Sequence, residues 1–206
     1  MIRAEIREHI EATIIPLYAK FDKAHNIDHA QTVIEESASL ASHYDVDLEM
    51  VYLVAAFHDV GLCEGRERHH IVSGEMLLAD PFVASLFSEE QRRTMQEAIE
   101  DHRAYSEGDP RSIYGRIVAE ADRIISCDTT LRRTVQYGLK QNPDATADEH
   151  FERFWDHLQK KYARGGYLKL YIPHSDNAAR LEELREAIEN PIELRRLFDI
   201  ILSEEL

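Results

Sequence analysis

The sequence predicts an all-α protein. Apolar residues recur at intervals of three or four along almost the whole chain, which is the period of one helix face. Two segments open with a capping box, in which a Ser or Thr is followed three residues later by Gln or Glu: Ser88–Gln91 and Thr146–Glu149. A single short stretch, 167–173, alternates like a strand.

Five helices are predicted in the first half of the chain. The first carries apolar residues at intervals of three or four from Ile2 to Leu17, and Pro16 is expected to kink or split it. The run Met50–Phe57 is almost wholly apolar and predicts a buried helix, which Asp47 caps and Gly61 ends. The other three predicted helices are 30–41, 69–79 and 88–102.

Helical spacing continues in the second half, where the predicted helices are 113–124, 131–139, 146–162, 181–188 and 192–202. The stretch from Gly165 to Asn177 is the best candidate for a boundary, but no change of composition marks a second domain. We therefore expect one domain over residues 1–206, with a core at about 20–130 and a helical extension at about 131–206.

The composition and the net charge exclude some classes of function. The 206 residues are 44% hydrophobic and carry a formal net charge of −15. A negative field repels the phosphate backbone, so we expect no long nucleic acid as a partner, whereas a small anionic ligand responds to local charge. No apolar run is long enough to span a bilayer, and Cys63 and Cys127 do not make a disulfide framework. We expect a cytoplasmic protein without a membrane partner.

The pair His58-Asp59 follows directly on eight apolar residues. A buried carboxylate is costly at this point unless a positive group compensates it, and a divalent metal would do so. Side chains of neighbouring helical residues diverge by about 100°, so both reach one ion only near a helix end. The alternative is a plain helix-end pair, in which His58 complements the helix dipole and Asp59 caps the next segment.

Two further residues widen this set. His29 lies on the preceding predicted helix, and Asp122 lies on a later one, where apolar neighbours place it toward the core. Two imidazoles and two carboxylates form a mixed nitrogen and oxygen set, which suits Mn, Fe, Co, Ni, Mg or Zn. Four protein ligands leave positions open on an octahedral ion, as a catalytic metal requires.

The order His29, His58-Asp59, Asp122 resembles the H…HD…D pattern of the HD superfamily. The surrounding residues agree, with HNIDHAQTV at the first histidine, AAFHDVG at the doublet and AEADRI at the last aspartate. The doublet alone is a weak signal, but the ordered set on predicted helices is specific, and the resemblance covers roughly residues 20–130. It implies a helical bundle in which these residues bind a metal. Known members are mostly phosphomonoesterases, phosphodiesterases or nucleotide pyrophosphohydrolases.

The resemblance extends to a dinuclear variant of the family, which has two more histidines between the doublet and the last aspartate. His69 or His70 precedes Ser73–Glu75, which resembles the family's H…SAE stretch and favours His69. His102 ends its predicted helix and takes the place of the other histidine. One or two divalent ions per chain are therefore expected. The alternative is that these histidines are surface residues at helix ends, and for His25 an outer or surface role is the expectation.

The sequence departs from the family at Leu62, where many members have a lysine after the doublet. A positive charge for phosphate must then come from elsewhere. Arg66 and Arg103 stand near ligand positions, and a planar guanidinium offers phosphate two parallel hydrogen bonds. A solvated surface arginine is the alternative for each, and more so for Arg123, which is expected to point away from the face of Asp122.

The resulting hypothesis is a metal-dependent phosphohydrolase that acts on a small phosphate ester, such as a nucleotide or a related phosphorylated metabolite. Asp59 would be the pivotal ligand, bridging two ions if two are present, and Arg66 would neutralise developing charge. Two rival functions stay open: a di-iron oxygenase, as in relatives with the fuller histidine set, and a non-catalytic nucleotide-binding module. The sequence indicates neither the exact substrate nor the oligomeric state.

Overall fold

The computed structural model describes residues 2–22, 24–103 and 108–206, and within these ranges every regular element is helical, without a β-strand. This confirms the all-α prediction. Among the described helices, none combines the length and the apolar content that a membrane crossing requires. The α-helices are α1 (Ala4–His9), α2 (Ile27–Ala41), α3 (Leu48–Phe57), α4 (His69–Ala79), α5 (Pro81–Leu86), α6 (Glu89–Glu100), α7 (Ile113–Asp122), α8 (Cys127–Gln141), α9 (Ala147–Lys161), α10 (Asn177–Glu189) and α11 (Pro191–Glu205).

The chain divides into two compact units. The first contains α1–α7 and comprises the chain up to Arg123 together with Tyr171–Ser175. The second contains α8–α11 and comprises Ile124–Leu170 and Asp176–Leu206. All the residues that the sequence predicts as metal ligands or phosphate-binding arginines belong to the first unit.

Pro16 divides the N-terminal helical segment, as the sequence predicts. α1 passes into a π-helical turn at Ile10–Ile14 and then into a 3₁₀ helix at Ile15–Lys20, which accommodates Pro16 near its start. The buried face continues to Tyr18 instead of the expected Leu17, because the wider π turn adds a residue to the apolar repeat. A tyrosine hydroxyl is thereby placed in the core.

α3 is the central helix of the first unit, and α2, α4, α6 and α7 pack around it. Seven of its ten residues are buried, all between Met50 and Phe57, which confirms the buried helix predicted from its apolar run. Asp47 caps the first turn by accepting the N–H of Glu49 at 2.9 Å. The helix ends at Phe57, so the predicted stop at Gly61 is wrong.

Gly61 has a packing role instead. It lies in the 3₁₀ helix Val60–Glu64, which packs against α4. A Cβ atom on Gly61 would lie 2.2 Å from the carbonyl oxygen of His69 and 2.6 Å from the amide nitrogen of Ser73. The Gly61 N–H donates to Ser73 Oγ at 2.9 Å. The absence of a side chain at Gly61 lets the start of α4 pack directly against the segment that follows α3.

The stretch 167–173 has no regular secondary structure, so the predicted strand is wrong. A strand pairs its backbone groups with a neighbouring strand, whereas the Tyr171 N–H donates to a carboxylate oxygen of Glu120 at 2.7 Å. The Arg123 guanidinium lies over the Tyr171 ring, 4.9 Å from its centroid. Arg123 is buried in this arrangement, which corrects the expectation of a surface position.

The second unit is built from α8–α11, and the helices predicted for this part of the sequence are confirmed. Thr146 and Glu149 form the predicted capping box at the start of α9. Aromatic rings on two helices pack together in its core, with Phe154 and Phe198 ring centroids 5.1 Å apart. Other buried apolar residues of this unit are Leu131, Val135, Leu158 and Leu184.

Candidate metal centre

The six side chains predicted as metal ligands meet in the first unit, where the ends of five helices come together. Each side chain lies near a helix end. There the side chains of residues adjacent in sequence can point toward the same site, which they do not do within a regular helix. His29 is in the first turn of α2, His58 and Asp59 follow the last residue of α3, His69 begins α4, His102 follows α6, and Asp122 ends α7.

One set of donor atoms gathers around His29 and His58. The Nε2 atoms of these two rings are 3.3 Å apart. Asp59 Oδ2 lies 3.4 Å from His58 Nε2, and Asp122 Oδ1 lies 3.2 Å from His29 Nε2. These four residues are the set that the sequence predicts for the first ion.

A second set gathers on the other oxygen of the same aspartate. Asp59 Oδ1 lies 3.3 Å from His69 Nε2 and 3.4 Å from His102 Nε2. These two Nε2 atoms are 3.2 Å apart. Asp59 therefore turns one carboxylate oxygen toward each pair of histidines, an arrangement that would allow it to hold two ions.

Backbone carbonyls fix the orientation of three of the four imidazoles. His58, His69 and His102 each place Nδ1 against the carbonyl oxygen three residues earlier, on Ala55, Arg66 and Ile99, at 2.7, 2.8 and 2.6 Å. A carbonyl only accepts, so each Nδ1 carries the proton, and in the neutral ring Nε2 keeps its lone pair. Such outer hydrogen bonds commonly orient histidine ligands of a metal. His29 differs, because its Nδ1 is buried with no partner among the described residues.

The convergence of these nitrogens fits a cation. In neutral rings, Nε2 lone pairs at 3.2 and 3.3 Å from one another repel, and a proton or a metal ion between them relieves the repulsion. Four imidazole nitrogens with two carboxylates form a donor set that first-row divalent metals prefer. The donor atoms of His29, His58 and Asp59, and those of Asp59, His69 and His102, each lie within 4.8 Å of one another.

The charges of the site support the same interpretation. Burial disfavours the charge of Asp59, but the nearby His58 and a hydrogen bond with His102 outweigh it and hold the pKa of this carboxyl well below its usual range. Burial likewise acts against Asp122, yet His29 and His58 keep the pKa of its carboxyl low. Burial and the neighbouring His102 lower the pKa of His69 to about 4. At neutral pH both carboxylates are charged and His69 is neutral, as metal ligation requires.

His69, and not its neighbour His70, joins this cluster. The His70 ring lies 5.4 Å from the His69 ring, measured between centroids, and its Nδ1 is buried without a partner among the described residues. His25 stands outside the two sets, as expected. Its ring lies 5.9 Å from the His29 ring, and its Nδ1 contacts Asp22 Oδ1 at 2.6 Å.

The two predicted phosphate-binding arginines lie near the cluster in different ways. The Arg66 side chain is 67% exposed, and its guanidinium contacts His25 Nε2 at 3.4 Å. Its backbone carbonyl is the acceptor for His69 Nδ1, so Arg66 also contacts a histidine of the cluster directly. Arg103 Nη1 donates to the carbonyl oxygen of Glu67 at 3.1 Å. A role of either guanidinium toward phosphate stays a proposal.

Sequence reasoning missed Tyr18. Its hydroxyl donates to the carbonyl oxygen of Ala56 at 2.9 Å and accepts the N–H of Asp59 at 3.2 Å. The available signal was weak, namely a tyrosine four residues after Ile14 in an otherwise apolar stripe. A buried tyrosine hydroxyl usually has a hydrogen-bond partner, but the sequence does not say which.

Comparison with known proteins agrees with this description. The profile of the HD domain family matches residues 26–126, a range that includes all six converging side chains. The crystal structure of a predicted HD superfamily hydrolase from an uncultured Thermotogales bacterium is similar, with 23% sequence identity and a TM-score of 0.50. That alignment covers 74% of this chain and 84% of the other, and at this identity the likeness concerns the fold. No curated protein matches the chain. The chain is an HD-domain protein, with the domain at residues 26–126.

Proposed function

We propose that the protein is a metal-dependent phosphohydrolase that acts on a small phosphate ester, such as a nucleotide or a related phosphorylated metabolite. The observation that carries this proposal is the division of the Asp59 carboxylate, with Oδ2 facing His58 and Oδ1 facing His69 and His102. Two metal ions held about 3.5–4 Å apart are a common device for phosphoryl transfer. An HD domain in the chain supports the same reaction class.

The ligands are assigned as follows in this proposal. His29, His58, Asp59 and Asp122 hold one divalent ion, and Asp59, His69 and His102 hold a second. Such ions supply Lewis-acid polarisation of a phosphoryl oxygen and lower the pKa of water. The carbonyls of Ala55, Arg66 and Ile99 orient three of the imidazoles, so the donor set is organised before an ion arrives.

Substrate approaches from the side of Asp122. The Asp122 side chain is 26% exposed, whereas those of His58 and Asp59 are 0% and 5% exposed. Arg66, with an accessible guanidinium and a backbone bound to His69, then binds the phosphate group and neutralises charge that develops on it. Arg103, which follows His102, is proposed to bind the phosphate group as well. The net charge of −15 disfavours long nucleic acids, which supports a small substrate. A cytoplasmic location is part of the same proposal.

The test is a phosphate-release screen over nucleotides, sugar phosphates and dinucleotides, with Mn²⁺, Mg²⁺, Co²⁺, Ni²⁺, Fe²⁺ or Zn²⁺ added. Asp59→Ala should reduce turnover at least about a hundredfold, because it removes a ligand from both ions, while circular dichroism stays helical. The matched control is Asp128→Ala, since the Asp128 side chain is 74% exposed in the second unit. Turnover that survives Asp59→Ala would place the reaction elsewhere.

A di-iron oxygenase is the second candidate, because four imidazole nitrogens around a shared carboxylate also suit iron. The two reactions differ in what they consume. An oxygenase contains iron after aerobic purification and consumes dioxygen with its substrate, without release of phosphate from phosphate esters. A phosphohydrolase releases phosphate at the same rate without dioxygen. Tight nucleotide binding without either reaction would indicate a binding module.

A further inference from the structure

We propose that Tyr18 is a positioning residue for the metal centre: its hydroxyl bonds the backbone at the end of α3 so that His58 and Asp59 face the ion that they share. The inference rests on the proposed function, since it concerns the ligands assigned there. Tyr18 does not touch either ion in this assignment. It acts through the backbone of Asp59.

The Tyr18 side chain reaches the backbone at the end of α3. Tyr18 is fully buried in the 3₁₀ helix Ile15–Lys20, which packs against α2. Its hydroxyl donates to the Ala56 carbonyl at 2.9 Å and accepts the Asp59 N–H at 3.2 Å. One hydroxyl thus joins the last turn of α3 to Asp59, the second residue beyond the helix.

The Asp59 N–H in the His58-Asp59 doublet requires a hydrogen-bond acceptor outside the helix. In a continuing α-helix, the Asp59 N–H would donate to the Ala55 carbonyl, and the two side chains of the doublet would diverge by about 100°. Here the Ala55 carbonyl accepts from His58 Nδ1 at 2.7 Å. Asp59 leaves the helix with φ −116° and ψ 2°. Its buried N–H therefore requires another acceptor, and the Tyr18 hydroxyl is that acceptor.

A phenylalanine at position 18 would fill the same space. The hydroxyl itself is therefore the informative group, because burying it is costly unless it is hydrogen-bonded. Both of its partners belong to the segment that carries the doublet.

The chain offers a matched control at the other end of the same helix. The Tyr114 hydroxyl accepts the N–H of Asp47, the N-cap residue of α3, at 3.1 Å. Tyr18→Phe and Tyr114→Phe thus each remove a hydroxyl that accepts a backbone N–H at one end of α3. Only the first of these contacts lies beside the ligand doublet.

The experiment measures two quantities in wild type and both variants. Amide hydrogen exchange in the metal-free protein follows the N–H groups of Asp59 and Asp47, and calorimetric titration with Mn²⁺ alone gives metal affinity. Tyr18→Phe should speed exchange at Asp59 and weaken Mn²⁺ binding about tenfold, the lower end for loss of an outer-shell partner. Tyr114→Phe should speed exchange at Asp47 and leave Mn²⁺ affinity unchanged.

Equal Mn²⁺ affinity in wild type and Tyr18→Phe would overturn the inference, whatever happens to exchange, and would leave the proposed function standing. Equal weakening by both variants would also overturn it, since it would indicate a general loss of stability. A wild-type protein that takes up no Mn²⁺ or other divalent metal would overturn the proposed function and this inference with it. If Tyr18→Phe does not fold, hydrogen exchange at the Asp59 N–H of the wild-type protein is the test. Slow exchange would support the contact, and exchange as fast as in an unprotected amide would overturn the inference.

Discussion

His58 Nε2 and Asp59 Oδ2 lie 3.4 Å apart, although side chains of adjacent residues in a helix point about 100° away from each other. The two converge because α3 ends at Phe57 and Asp59 adopts non-helical dihedral angles. The doublet is thus a helix terminus in which both side chains point inward.

Two adjacent histidines allow a test of the number of ions. His69 Nε2 lies 3.3 Å from Asp59 Oδ1, whereas His70 does not join the cluster. His69→Ala should lower metal content from about two ions per chain to about one, as expected when a two-metal site loses a ligand of one ion. His102→Ala should do the same, and His70→Ala should keep both ions. Elemental analysis after metal saturation measures this. Full content in both His69→Ala and His102→Ala would mean a mononuclear site.

Metal binding should release a proton from His58. Burial disfavours the charged form of this ring, but Asp59 and Asp122 outweigh burial and raise the pKa of His58 to about 9 in the metal-free protein. At pH 7 the ring therefore carries a proton that an ion must displace, since only the neutral ring ligates. Titration calorimetry in buffers of different ionisation enthalpy should report about one proton released per chain. Buffer-independent heats would show that His58 is already neutral.

The same pKa predicts how the stability of the metal-free protein depends on pH. A folded-state pKa of about 9, above the usual 6.5, means that the proton on His58 stabilises the fold fully below pH 6.5. This contribution is lost as the pH rises through about 9. The unfolding temperature of chelator-treated protein should therefore fall over this range. In metal-saturated protein, where no such proton is present, the fall should be absent.

Gly61→Ala should destabilise the first unit. The added Cβ would meet the His69 carbonyl at 2.2 Å, and backbone cannot move aside as a flexible side chain can. We expect a loss of about 2 kcal/mol in the free energy of unfolding, typical of overpacking, measured by urea denaturation. Gly115→Ala is the control, because its Cβ would meet its nearest neighbour at 3.2 Å. Equal stability of the two variants would contradict the packing role of Gly61.

Arg66→Gln should weaken substrate binding. The exposed Arg66 guanidinium is proposed to bind the phosphate group and to neutralise charge that develops on it, so its loss should raise KM about tenfold and also lower kcat. Steady-state kinetics on a phosphate ester found in the screen measures this. Arg93→Gln is the control, since the Arg93 side chain is 69% exposed and pairs with Glu89 within α6. An unchanged KM would assign phosphate binding to another group.

Several predictions from the sequence agree with the structure because they depend on local spacing. The buried helix 48–57, the split at Pro16 and both capping boxes follow from patterns that span only a few residues. The family match at residues 26–126 likewise agrees with the ordered histidine and aspartate residues. The helical features depend on neighbouring positions, whereas the order of the metal-binding candidates extends along the chain from His29 to Asp122.

The predictions that are wrong concern contacts between distant residues. Gly61 was expected to end a helix, but it permits the contact with His69 and Ser73. The stretch 167–173 alternates like a strand, but the Tyr171 N–H bonds a side chain of α7. Alternation and a lone glycine are each compatible with more than one structure, so packing decides between them.

By itself, the sequence determined the helical class of this protein and the order of residues able to hold a metal, since helix period and ligand spacing are properties of the chain. Only the tertiary structure decided that His69 and not His70 joins Asp59, and that the Tyr18 hydroxyl bonds the backbone at the doublet. The physical reason is that a side chain's partner depends on which helix ends meet in space. That meeting follows from how α2, α4, α6 and α7 pack around α3.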